Sequence, residues 1–155
     1  MTTTHESQNF KQDAWHHLCD DHRKLDAVLT DVRSLAFSGS FVTGAKRFGE
    51  FRIAQERHMT LEDELFTLLR ALPGCPDFVH LMSQEHQHAA EIMNDISTFL
   101  SRGETDRIGA LLAELASRLR DHEKQEQRLF LLEIDPTLKS HPAYELWLRH
   151  MLVLQ

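Results

Sequence analysis

The stretch FRIAQERHMTLEDELFTLL, residues 51–69, decides the fold. Phe51, Gln55, His58, Glu62, Leu65 and Leu69 recur at alternating three- and four-residue steps, the signature of a helix packed along a bundle seam. His58 and Glu62 stand four positions apart, so on a helix they share one face, about a turn from each other. The stretch LASRLRDHEKQEQRLFLLE, residues 115–133, repeats the pattern, with His122 followed by Glu126 in the places of His58 and Glu62. The shift is 64 residues (58 to 122). Applied without a gap to the flanking sequence, it superimposes Trp15, Leu18, His22, Leu25, Leu29, Val32 and Ala36 on Val79, Met82, His86, Ala89, Met93, Ile96 and Leu100. A histidine holds the same seam position in both, and an internal repeat of this kind describes two copies of a helical hairpin.

Punctuation around these seams predicts an all-α, up-down-up-down antiparallel four-helix bundle. The first helix runs from about Asp13 to Ala36 and gives way to the turn Phe37-Ser-Gly-Ser40. The second climbs from about Thr43 to Ala71 and stops at Pro73-Gly74. The third opens at Pro76 and Asp77, proline being suited to the first helical position, and ends at Gly103. Thr105 or Asp106 is the expected cap of the fourth, which continues to about Glu133 before Asp135-Pro136 breaks it. Connections this short make successive helices antiparallel neighbours. A shorter amphipathic segment, His141 to Leu154, carries Tyr144, Leu146, Trp147, Met151 and Leu152, more apolar than an exposed tail should be. It is expected either to cover one end of the bundle as a short fifth helix or to form a homodimer contact.

Bulk properties agree. A chain of 155 residues is about the length of one domain, so a single domain over residues 1–155 is expected, with the bundle at about 13–133 and the C-terminal segment at about 141–154. The net charge of −7 and the lack of a Lys/Arg-rich run leave no footprint for nucleic acid. The polar stretch from Met1 to Phe10 and the absence of a run of about 20 apolar residues imply no membrane span and a cytoplasmic protein. Cys19 and Cys75 lack CxxC spacing and read as free thiols. Eleven histidines against one tyrosine are the anomaly of the composition.

The repeat sends six polar side chains into the core: His22, His58, Glu62, His86, His122 and Glu126. A buried carboxylate costs several kcal/mol unless something compensates it, and a bound cation is the simplest compensation. Imidazoles supply nitrogen to first-row transition metals, while carboxylates supply oxygen and can bridge two ions. Two histidines per ion with two bridging glutamates matches the two-fold repeat. Structural zinc prefers four ligands in a tetrahedron, so this set favours iron.

The motifs Asp21-His22, His58-x-x-x-Glu62, Glu85-His86 and His122-x-x-x-Glu126, followed by Glu62-Asp-Glu-Leu-Phe66 and Glu126-Gln-Arg-Leu-Phe130, resemble the hemerythrin-like HHE cation-binding family over roughly residues 14–133. The resemblance implies a non-haem diiron centre. His22, His58, His86 and His122 would be iron ligands, and Glu62 and Glu126 would bridge the metals alongside an oxo, hydroxo or water bridge. Family members that carry oxygen reversibly have a fifth histidine one turn before the position of His86, where this chain has Met82, and its repeat mate is Leu18. They also usually use aspartate, at a longer spacing, where this chain has Glu126. A more symmetric and more open centre is therefore expected, one that binds dioxygen, nitric oxide or peroxide for sensing or storage and passes any output to a separate redox or signalling partner. The alternatives are a diiron oxidase or peroxidase, for which no substrate pocket or catalytic residue is legible, and iron delivery or iron-centre repair. Repair-associated relatives carry a cysteine-bearing amino-terminal segment, whereas Met1 to Gln12 has no cysteine.

The remaining polar residues have plainer readings. His88 lies about 200° around the helix from His86, and His80 about 120° away, so both fall off the site. His16 and His17 are also poor candidates, and His5, His141 and His150 lie near the ends. Gln55 either bonds within the bundle, supports a bridging ligand or packs. Asp21 and Glu85 are expected to flank the site or face solvent, and Asp63, Glu64, Gln127 and Arg128 to take the wetter faces.

Overall fold

Long runs of helix-period apolar residues, with glycine and proline confined to a few breaks, leave the backbone little alternative to helix. The computed structural model describes residues 3–129 and 141–153. Its helices are α1 (Thr3–Phe37), α2 (Phe41–Arg70), α3 (Phe78–Arg102), α4 (Ile108–Arg128) and α5 (Pro142–Val153). No strand occurs among the described residues, and no helix among them is long and apolar enough to cross a membrane.

Side-chain partners show the antiparallel course directly. From Arg52 to Asp63 to Arg70 along α2, the α3 partners step back from Ser97 to His86 to Ser83. α1 packs on α2, α2 on α3, α3 on α4, and α4 closes back on α1. The expected four-helix bundle is therefore the observed one. The repeat extends to its turns. At Gly39 (φ +78°) and Gly103 (φ +68°), positions 64 apart (39 to 103), the chain turns left-handed. Ser40 N–H reaches back to the Leu35 carbonyl at 3.0 Å and Glu104 N–H to that of Phe99 at 2.9 Å, so both hairpins close with the same glycine C-cap.

Several boundaries differ from expectation. α1 begins at Thr3 rather than about Asp13, because the apolar seam marks where a helix is buried and not where its backbone ladder starts. α4 is not capped by Thr105 or Asp106. Arg107 occupies the cap position without a side-chain bond, and Ile108 N–H donates to the Thr105 carbonyl at 3.2 Å instead, so a backbone turn does the capping. Asp77 likewise makes no side-chain cap for α3. The stretch of the fourth helix expected beyond Leu129, up to Glu133, lies outside the described residues, as does Leu154.

The core falls into two apolar blocks with a polar layer between them. One block holds Leu25, Leu29, Phe48, Phe51, Met93, Ile96 and Leu112 toward the Gly39 and Gly103 turns. The other holds Leu18, Leu65, Phe66, Met82 and Val79, joined by Tyr144 and Trp147 of α5. α5 packs against α1 and α2, and Trp147 Nε1–H donates to the Leu61 carbonyl at 2.7 Å. The C-terminal segment thus covers one end of its own bundle, leaving Leu146 69% exposed.

Candidate metal centre

Between the two blocks, α1 contributes His22, α2 His58 and Glu62, α3 His86, and α4 His122 and Glu126, all buried. The three- and four-residue spacing that makes the seam apolar also aims these six side chains inward, so the helices themselves position them. Glu62 is 1% exposed and Glu126 fully enclosed.

Glu62 is shared by all four imidazoles. Its Oε1 lies 2.6 Å from His58 Nε2 and 3.5 Å from His22 Nε2, and its Oε2 lies 3.0 Å from His86 Nε2 and 3.4 Å from His122 Nε2. Glu126 sits across from it, Oε2 at 3.1 Å from His22 Nε2 and Oε1 at 3.9 Å from His122 Nε2. The ring nitrogens also crowd in pairs, His22 to His58 at 2.8 Å and His86 to His122 at 3.0 Å. These approaches are close, yet none of the four carboxylate oxygens accepts a properly directed hydrogen bond. Two groups bring their donor atoms within 4.8 Å of one another, His22 with His58, Glu62 and Glu126, and Glu62 with His86 and His122. Buried polar atoms are normally satisfied. Donors that converge on shared space and remain unsatisfied suit transition-metal ions, and the paired arrangement with Glu62 common to both groups suits two of them.

Electrostatics point the same way. Burial pulls the imidazoles down, but contact with Glu126 and Glu62 overrides it and raises His22 to about 11. The same contest raises His58 to about 9 and His122 to about 10, helped by Asp21 and Glu85 respectively. Burial opposes charge on Glu62, but His58, His122 and His22 together hold it ionised well below the usual carboxylate range. Glu126 is pushed upward by burial and by the charge of Glu62. The buried carboxylates therefore favour protonated imidazoles over neutral ones in the absence of metal, and an incoming ion must displace those protons. Metal binding at pH 7 is expected to release protons, and affinity to climb as pH rises toward 9. Calorimetry in two buffers of different ionisation enthalpy checks this, and binding without proton release would contradict the assignment.

The outer nitrogens were less legible in the sequence. Asp63, expected on a wetter face, has Oδ1 2.9 Å from His86 Nδ1. Glu85 does more than flank the site: its Oε2 is 2.9 Å from His122 Nδ1, and Gln125 Nε2 donates to its Oε1 at 3.0 Å. Asp21 stands 3.9 Å from His58 Nδ1. Adjacency was the available signal, since each of these acids is next to a seam histidine or glutamate. Gln55 is buried a turn before His58. His80 and His88 are exposed, as their helix angles predict, and so are His16 and His17. Leu18 and Met82, where a fifth histidine would stand, are 1% and 0% exposed within the apolar block under α5. Neither side chain offers a nitrogen or oxygen to the centre, and the outer contacts of the two halves are less symmetric than expected.

Residues 13–133 match the family model described as the hemerythrin HHE cation binding domain. No curated protein and no solved structure matches the chain.

Proposed function

The chain belongs to the hemerythrin HHE cation-binding domain family, and on that premise we propose that it is a non-haem diiron-binding protein that takes up dioxygen, nitric oxide or peroxide for sensing or storage. One observation carries the reading: the two oxygens of Glu62 each face a different histidine pair. His22 and His58 would hold one iron, His86 and His122 the other, with Glu62 and Glu126 spanning them. Bound iron would supply the coordination positions and redox capacity for the small ligand.

The chain's own part is to orient and to exclude water. Phe66 lies against His86 with ring centroids 5.5 Å apart and edge-on to His122 at 6.2 Å, closing the layer on its apolar side. Leu18, Leu65 and Met82 complete that wall. A dry apolar wall beside the donors suits an uncharged diatomic ligand and discourages hydrolytic side reactions. Free Cys19 and Cys75 accord with a cytoplasmic setting.

Elemental analysis of iron-supplied protein tests the proposal. Two irons per chain are expected, falling below two in His58→Ala or His122→Ala. Optical spectra of the reduced protein after air, nitric oxide and peroxide then separate the classes. A persistent oxygenated spectrum that reverses under vacuum supports binding, whereas rapid oxidation with peroxide turnover supports an oxidase or peroxidase.

A further inference from the structure

Resting on the two-ion reading, we propose that Asp63 and Glu85 are positioning residues for the His86/His122 half of the centre alone, so that the two metal positions are held by different means and respond to different substitutions.

A histidine that binds metal through Nε2 presents Nδ1–H outward, and an acceptor there fixes the ring and raises the basicity of the inner nitrogen. The repeat provides four places for such an acceptor. Asp21 and Glu85 are repeat mates, and so are Asp63 and Gln127. In one half both places are filled by carboxylates in contact, Asp63 on His86 and Glu85 on His122, each at 2.9 Å. Glu85 is itself held by Gln125.

The other half is held more loosely on its outer side. Asp21 stands 3.9 Å from His58 Nδ1, and that buried nitrogen has no hydrogen-bond partner. The repeat mate of Gln125 is Leu61, a buried apolar side chain. The mate of Asp63 is Gln127, a neutral and exposed amide. Gln127 shares with His22 a cleft of about 470 Å³ between α1 and α4. The departures at Leu61 and Gln127 thus fall on the same half as the longer Asp21 contact. Glu126 leans toward that half, at 3.1 Å from His22 against 3.9 Å from His122, so inner and outer contacts are divided between the two ions. The ion between His86 and His122 depends on outer carboxylates; the ion between His22 and His58 depends on Glu126 and borders the cleft.

Anaerobic titration of the metal-free full chain with ferrous iron reads the two positions as two steps, assigned by His22→Ala and His86→Ala, each of which should leave one. Asp63→Asn and Glu85→Gln are expected to weaken the step retained in His22→Ala by about 10- to 100-fold, the usual effect of losing an outer partner, and to leave the other unchanged. Asp63→Glu, which keeps the carboxylate, should retain most of the affinity, and Gln127→Asp should tighten the other step. If either alanine variant fails to fold, the opposite responses to Asp63→Asn and Gln127→Asp still separate the steps. Equal weakening of both steps, or of neither, would overturn the role given to Asp63 and Glu85. Binding of fewer than two irons by the unmodified chain would instead overturn the two-ion reading.

Discussion

Glu62→Gln is expected to empty the centre: on the proposed two-iron loading, iron per chain should fall below one, while Glu126→Gln should keep at least one. The two glutamates are repeat mates, but their surroundings differ. Both Glu62 oxygens are within 3.5 Å of a histidine pair, whereas Glu126 comes close only to His22. An amide at position 62 keeps the volume and removes the one anion common to four imidazoles. Its NH2 also points a donor at ring nitrogens that must accept metal. Breaking a fully buried charged contact costs on the order of 3–5 kcal/mol, which corresponds to at least a hundredfold in affinity. Elemental analysis of the two variants after identical iron loading decides the matter. Two irons retained in Glu62→Gln would mean that Glu62 is not shared.

The seam made most of this legible in advance. His22, His58, His86 and His122 could be placed because a 64-residue shift (22 to 86) aligned them with apolar residues that must face inward, and a buried imidazole out of register would have been noise. Helix ends marked by a left-handed glycine were equally clear, since Gly39 and Gly103 do what few other residues can. Periodicity is silent on groups that act across helices from half-exposed positions. Asp63 has its side chain 45% exposed and still reaches His86, so its face assignment was right and its role was missed. The start of α1 was missed for a related reason: a polar stretch of sequence has no apolar periodicity to register. The docking of α5 was narrowed to two readings, because an amphipathic segment announces that it packs without announcing on what.

The inequality of the outer contacts has a physical origin in the packing of α5. Leu61 stands where strict repetition would place an amide like Gln125, and its backbone carbonyl is where Trp147 docks. The turn of α2 that carries His58 and Glu62 thus serves the metal layer on one face and the end of the bundle on another. Exact repetition there would put a polar side chain where the chain buries Leu61 at 5% exposure. Sequence symmetry was given up at the place where α5 approaches the bundle, and the histidine behind it, His58, has a buried outer nitrogen without a hydrogen bond.

Trp147→Ala is for that reason expected to be the most destabilising change outside the metal layer. Trp147 is 5% exposed, pairs with Tyr144 at 6.1 Å between ring centroids, and donates to the Leu61 carbonyl. Its removal leaves a cavity in the apolar block that also holds Leu18, Leu65 and Met82, and truncation of a buried tryptophan costs about 3–5 kcal/mol. Trp147→Phe keeps most of the apolar contact and loses the hydrogen bond, for about 0.5–1.5 kcal/mol. Urea unfolding of the metal-free protein should show this order, with the midpoint falling far more for alanine than for phenylalanine. A loss below about 1 kcal/mol for Trp147→Ala would mean that α5 rests on the bundle without holding it together. Iron stoichiometry should stay at two in both variants, because every donor side chain comes from α1 to α4. The apolar layer of Leu18 and Met82 separates α5 from the histidines, so what the tryptophan supplies is the stability of the wall and not a ligand to the metal.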